Sequence, residues 1–420
     1  MQLGRQGLRA ALWLGPALGL CLWLGMAALS PSPGAGAADK VVCSAAAPPL
    51  RLAAATAPAA AVTGAARAAP PALAPENLYS RARTGNFSPA TAGALDRVYV
   101  PNRQSNSVSV IDPASRKVLR AFAVGISPQH VVPSWDLKTL WVANNGLKAR
   151  GGSLTPIDPK TGAPGPAIPV DDPYNLYFTP DGKSAIVVAE SLKRLDFRDP
   201  HTLALQQSLA TPQCDGVNHA DFSRDGHYAI FTCEFRGGGL VKIDLVHRQV
   251  VGYLRLWPHA MPQDIRIAPD GKVFYVADMH ADGVFLIDGD SFGKIGFIAT
   301  GIGTHGLYPS RDATRLYVAN RGSHSVVGLP HGKGSVAVID FATRKVVATW
   351  PIPGGGSPDM GNVSNDGGTL WLSGRFDNVV YAIDTRSGEV SKIPVGIEPH
   401  GLTVWPQPGR YSLGHTGNMR

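Results

Sequence analysis

The segment Arg315-Leu-Tyr-Val-Ala-Asn320, continued by Ser335-Val-Ala-Val-Ile-Asp340 and Arg344-Lys-Val-Val-Ala-Thr349, decides the fold of this 420-residue chain. Each run is short, rich in Val, Ile and Tyr, and bounded by turn residues, which reads as successive strands. The first run returns as Val98-Tyr-Val-Pro-Asn102, Leu140-Trp-Val-Ala-Asn144 and Val273-Phe-Tyr-Val-Ala-Asp278. Spacings of about 42 to 54 residues belong to propellers rather than short-repeat solenoids. Each copy leads to an Ile-Asp strand, at Asp112, Asp158, Asp244, Asp288, Asp340 and Asp384, with a diverged Leu195-Asp196. A third strand follows, as over 117–124, 249–256 or 345–352.

A fourth strand opens near a Pro-x-His or its equivalent and runs into the next Asp-Gly turn, as over 264–271. It recurs near His130, Asn175, His219, Asp264, His305, Asp359 and His400. Four strands in seven copies predict an all-β, seven-bladed β-propeller, and 3.6-residue periodicity is absent from the repeats. Strands at Val98 and Val108 are expected to complete the blade whose innermost strand starts at His400. Residues 411–415 resemble the Tyr-Val-Ala-Asn strand and compete for that slot. Val98–Asn102 is expected to take it, because a tight link joins it to the next strand.

These motifs, with the Pro-His-Gly and Pro-Asp-Gly turns, resemble the YVTN family of surface-layer and YncE-like bacterial and archaeal β-propellers over nearly all of 97–420. The resemblance implies the fold strongly and an activity weakly. It extends in blade pattern to the propeller of cytochrome-type nitrite reductases and to lactonase propellers. The third repeat, over 192–200, departs most.

The first residues set Arg5 and Arg9 before an apolar run over 10–29, and small residues end at Ala37. That order predicts a signal peptide over 1–37, though a run of about 20 residues also suits an uncleaved anchor. An Ala/Pro-rich stretch follows and is expected to be a disordered spacer over 38–94, with the propeller over 95–420. The chain is therefore expected to be secreted or held in the cell envelope. Net charge is +8, yet Lys and Arg fall singly beside turns, so no nucleic-acid partner is expected. A membrane is expected to be met only through the N-terminal segment. Cys214 and Cys233 flank one hairpin, where a disulfide and two buried thiols are equal readings.

Strand order sorts loops onto two faces, with the Asp-Gly hairpins below. Nine histidines then lie above: His130, His219, His259, His280, His305, His324, His331, His400 and His415; His201, His227 and His247 lie below. His130, His219, His305 and His400 are read at one equivalent position in four blades, and Asn175, Asp264 and Asp359 in the other three. A ring at the channel mouth is expected, whose imidazoles and carboxylates suit a divalent transition metal or a polar ligand; inter-blade hydrogen bonding is the alternative. A second arc sets Glu190, Glu234 and Asp278 against Arg321, Arg375 and Arg103, a separation of sign that favours a ligand carrying both charges. The insertion over 321–334, with His324, Pro330 and His331, is a candidate lid. No Gly-x-Ser-x-Gly elbow, phosphate loop, haem-attachment motif or HExxH helix is present. The leading expectation is an exported binding protein for a small ligand or an envelope or extracellular protein. The alternatives are a lactonase-like or isomerase-like enzyme using ring histidines, and, by resemblance, a propeller that handles a haem-type cofactor.

Overall fold

The computed structural model describes residues 77–147, 150–327 and 332–420. The signal segment and most of the expected spacer lie outside them. Seven four-stranded antiparallel sheets are present. The innermost strands of blades 2 to 7 are Pro128–Pro133, Pro173–Phe178, Val217–Phe222, Pro262–Ile267, Thr304–Pro309 and Pro358–Val363. In blade 1, Thr403–Trp405 pairs with Arg97–Asn102, with Arg97 opposite Trp405, so strands from both ends of the described chain close the ring.

Burial falls outward. The inner six-residue strands of blades 2 to 5 are buried along their whole length, whereas the outermost strand of blade 1, Lys117–Ala123, is nearly all exposed. Hydrophobic clusters lie between blades, for example Tyr177, Phe197, Phe222, Phe231 and Val241. Blades stack because a sheet of four short strands buries too little alone. Each Asn that ends a Tyr-Val-Ala-Asn strand ties down its neighbours: Asn144 donates to Thr155 Oγ1 at 2.9 Å and Asn102 to Ser109 Oγ at 3.0 Å. Cys214 and Cys233 form a disulfide within blade 4.

Two expectations need correction. Residues 77–94 are not spacer: they form short 3-10 turns at Ser80–Ala82 and Pro89–Thr91, and Tyr79, buried, donates its hydroxyl to Ile267 O at 2.7 Å. An aromatic anchor followed by Ser88, which caps the second turn, gives this stretch contacts that the Ala/Pro composition before it lacks.

Residues 411–415 lose the closing slot to Arg97–Asn102, as anticipated, but then enter the channel from the lower face. Phe178 N–H donates to Leu413 O at 3.0 Å and His415 N–H to Leu176 O at 2.9 Å. Gly414 has φ +101°, and a Cβ there would meet Leu176 O at 2.3 Å, so only glycine allows this approach. Further along, Arg420 pairs with Asp221 at 2.7 Å and lies over the Tyr79 ring. The tail closes the channel floor and carries His415 upward, so His415 reaches the channel from below and not from the upper loops.

Candidate functional site

The ring expected at the channel mouth is two tiers, because its members are one residue out of register. Pairing runs Pro128 to Asn144 and Val131 to Val142 in blade 2, and Thr304 to Asn320 and Leu307 to Val318 in blade 6. His130 therefore lies two residues past the first paired position and His305 only one. The same alignment places Asn175, His219 and Asp264 with His130, and Asp359 with His305. His400 follows Pro399, which bridges to Asn102, and belongs with His305. A β-bulge interrupts the register at this point in blades 2 to 7. Bulges re-aim side chains, and here they turn both tiers toward the axis.

The outer tier is a charge-compensated network. Arg321 donates to Asp359 Oδ1 at 2.9 Å and to His305 Nε2 at 2.8 Å. Guanidinium only donates, so the His305 proton sits on Nδ1, 2.9 Å from Asp359 Oδ1. Arg375 stands 3.6 Å from Asp359 Oδ2 and 3.0 Å from Glu398, which Arg103 meets at 2.8 Å. Burial opposes ionisation of Asp359, but Arg321 and the flanking histidines outweigh it and hold the carboxyl well below its usual range. Burial, reinforced by Arg321, pushes His305 down to about 4.

The inner tier is imidazole-rich. The His130 ring lies 5.2 Å from His219, 4.8 Å from His400 and 5.1 Å from His415, centroid to centroid. All four are buried. Burial pushes His130 down to about 3 and the other three well below the usual imidazole range. Asp264 is placed apart: its oxygens accept Ile265 N–H and Leu307 N–H, stapling blade 5 to blade 6. Asn175 is occupied too, donating to His415 Nδ1 at 3.0 Å while accepting Leu176 N–H.

Above both tiers lies a cavity of about 120 Å³, lined by Glu190 and Glu234 on one side and Arg103, Arg321 and Arg375 on the other. Gln129, Tyr174 and Gln263 of the outer tier also line it. Burial, then the neighbouring Glu234, pushes the Glu190 carboxyl well above its usual range. Burial also raises Glu234, against hydrogen bonds from Gln263 and Asn218 and the Arg321 charge. Both carboxyls are thus held less acidic than usual, beside three guanidinium groups.

Five of the six residues in the expected charge arc meet here. Asp278 does not: it caps its own loop, accepting Met261, His280 and Ala281 N–H groups. Val326 and Val327 of the 321–334 insertion line the cavity, while His324 turns outward to Asp282 at 2.7 Å. Pro330 and His331 lie outside the described residues. Glu398, which holds Arg103 and Arg375, escaped sequence reasoning.

Among solved structures, the chain is similar to hydrazine synthase from Kuenenia stuttgartiensis, with 21% identity, 72% of this chain and 95% of that one covered, and a TM-score of 0.57. It is similar also to the periplasmic gluconolactonase of Pseudomonas aeruginosa, with 18% identity, 73% and 98% covered, and a TM-score of 0.58. The dihydro-heme d1 dehydrogenase NirN matches at 16% identity, 79% of each chain and a TM-score of 0.51. These likenesses extend to the fold alone. No curated protein matches the chain. The family model for YNCE-like β-propellers matches residues 29–408, and with the seven blades in place the chain belongs to the YNCE-like β-propeller family.

Proposed function

We propose that this chain is an exported binding protein that takes a small polar ligand carrying both charges into the cavity at the channel mouth. The observation that carries the reading is the division of that cavity into a carboxyl wall, Glu190 and Glu234, and a guanidinium wall, Arg103, Arg321 and Arg375. Oriented charge of both signs in a desolvated pocket favours a zwitterion or a short anion with a hydrogen-bonding far end. A thermal-shift and calorimetric screen of amino acids, short dicarboxylates and small cations tests this. At a hundredfold excess over Kd a true ligand stabilises by about 2.7 kcal/mol, and Glu190→Gln is expected to remove most of the shift. No stabilising compound, or identical binding by Glu190→Gln and wild type, overturns the reading.

Export rests on the basic, apolar and small-residue order at the N-terminus and on the Cys214–Cys233 disulfide, which suits an oxidising compartment. Mass spectrometry of the exported form is expected to find a start near Ala38; an intact Met1 in a cytoplasmic fraction rules it out.

A second reading, acid–base catalysis of lactonase-like or isomerase-like type, is favoured by the adjacent carboxyls of Glu190 and Glu234, both raised by burial, since a raised carboxyl is the kind of group that serves as a general acid. A lactone hydrolysis and isomerisation screen of wild type against Glu234→Gln separates it from pure binding. Activity unchanged by that substitution removes it. Handling of a haem-type cofactor rests on the family resemblance alone; a Soret band after haem addition is its test.

A further inference from the structure

Beneath the cavity, and independent of what it holds, the inner tier presents a second site. We infer that His130, His219 and His415 bind one late first-row divalent metal ion of the zinc, copper or nickel kind. Their candidate ligand nitrogens all lie within 4.8 Å of one another, and all three side chains are buried.

The His219 tautomer supports this assignment. His219 Nδ1 lies 2.6 Å from Gln263 O. A carbonyl only accepts, so Nδ1 carries the proton and Nε2 presents a bare lone pair. Metal-bound histidines are oriented by this arrangement, the far nitrogen donating to a backbone carbonyl. The bare Nε2 faces His130 Nε2 at 3.4 Å. Two nitrogens at about 2.0–2.1 Å from a tetrahedral ion stand roughly 3.3–3.4 Å apart, so this pair needs no rearrangement.

Further signs point to an unfilled role. His130 Nδ1 and His415 Nε2 are buried with no hydrogen-bond partner; because Asn175 donates to His415 Nδ1, Nε2 carries the His415 proton, which binding of the ion displaces. His415 Nε2 lies 3.8 Å from Asp264 Oδ1, a carboxylate oxygen that Arg266 also approaches, at 3.4 Å. Three imidazoles suit zinc, copper or nickel and not magnesium or calcium.

The other close trio, His305, Asp359 and His400, is unsuited. Arg321 lies 2.9 Å and Arg375 3.6 Å from Asp359, and Arg321 already occupies His305 Nε2. A cation there would face two guanidinium groups.

The test is titration of chelator-stripped full-length protein, purified without a polyhistidine tag, with cobalt and then zinc. Wild type is expected to take up one equivalent of cobalt with the visible absorption of a nitrogen-ligated centre, and zinc is expected to displace it. X-ray absorption of the zinc form is expected to count three imidazoles. His219→Gln and His415→Gln are each expected to weaken binding by more than about 100-fold, beyond what loss of an outer-shell partner costs, while His305→Gln leaves binding unchanged. No stoichiometric uptake by wild type, an all-oxygen zinc shell, or a loss in His305→Gln as large as in His219→Gln each overturns the proposal. The first two readings need no variant to fold.

Discussion

At the mouth, His305 and His400 flank a carboxylate, Asp359, that already has Arg321 and Arg375 beside it. One residue deeper along the strands, His130 and His219 face each other with no carboxylate between them. The residue types are nearly the same, and the difference lies in what the neighbouring loops supply. The ends of the second strands bring Arg321 and Arg375 to the outer tier, whereas the inner tier receives a neutral imidazole from the tail. One tier is an electrostatic clasp between blades. The other holds a lone pair, on His219 Nε2, that faces only another imidazole.

Removing a cation from the clasp is expected to have the largest effect. Arg321→Met leaves Asp359 buried beside a reduced positive field, and breaking a buried ion pair from one side costs about 3–5 kcal/mol. Chemical denaturation measures it; a cost below about 1 kcal/mol means the clasp carries little stability.

Acid sharpens the comparison next, in metal-free protein. His130, His219, His305, His400 and His415 have folded pKa values below the ordinary 6.5. The unfolded chain therefore binds more protons below pH 6.5, and stability falls as pH falls through that value. Asp264, raised to about 6, and the raised Glu190 and Glu234 act oppositely: the folded state holds their protons, so each offsets part of the loss once pH drops below its folded pKa. Each group contributes about 1.4 kcal/mol per unit, and because five histidines oppose three carboxyls, a net loss of stability is expected between pH 6.5 and 5. Stability that is flat over this window in urea titrations would mean that the histidines reach water.

The smallest effect is expected from the tail. Gly414→Ala places a Cβ against Leu176 O in a left-handed conformation, a strain of about 1–3 kcal/mol. Faster hydrogen exchange at Leu413 and His415 is expected, with little change in the outer tier. Equal loss of protection in both tiers would mean that they open together.

The blades were legible because each repeats the same strand grammar, and seven copies of a weak signal reinforce one another. The two tiers were legible too, but by counting. His130, Asn175, His219 and Asp264 each precede the hairpin aspartate, Asp136, Asp181, Asp225 and Asp270, by six residues, while His305 and Asp359 precede Asp312 and Asp366 by seven. One residue along a strand moves a side chain by about 3.3 Å, enough to separate a clasp from a metal site.

Glu398 left a fainter mark. It sits at φ +58° where the corresponding residues of blades 4 and 6, Gly216 and Gly303, are glycines. A long charged residue in a conformation that favours glycine signals that its carboxylate is needed. The placement of His415 left no periodic trace, because the tail has no counterpart among the blades. Gly409, Gly414 and Gly417, all at positive φ, hint at a path that is not a strand.

Closure of blade 1 also has a kinetic meaning. Trp405 pairs with Arg97 across roughly 300 residues of chain, and loop-closure entropy makes so distant a contact late and slow to form. Six blades can assemble as local hairpins while the first three strands of blade 1 wait without their inner partner. The tail follows Thr403–Trp405 in the chain and is expected to reach its seat no earlier than they do, which would make His415 a late arrival among the inner histidines.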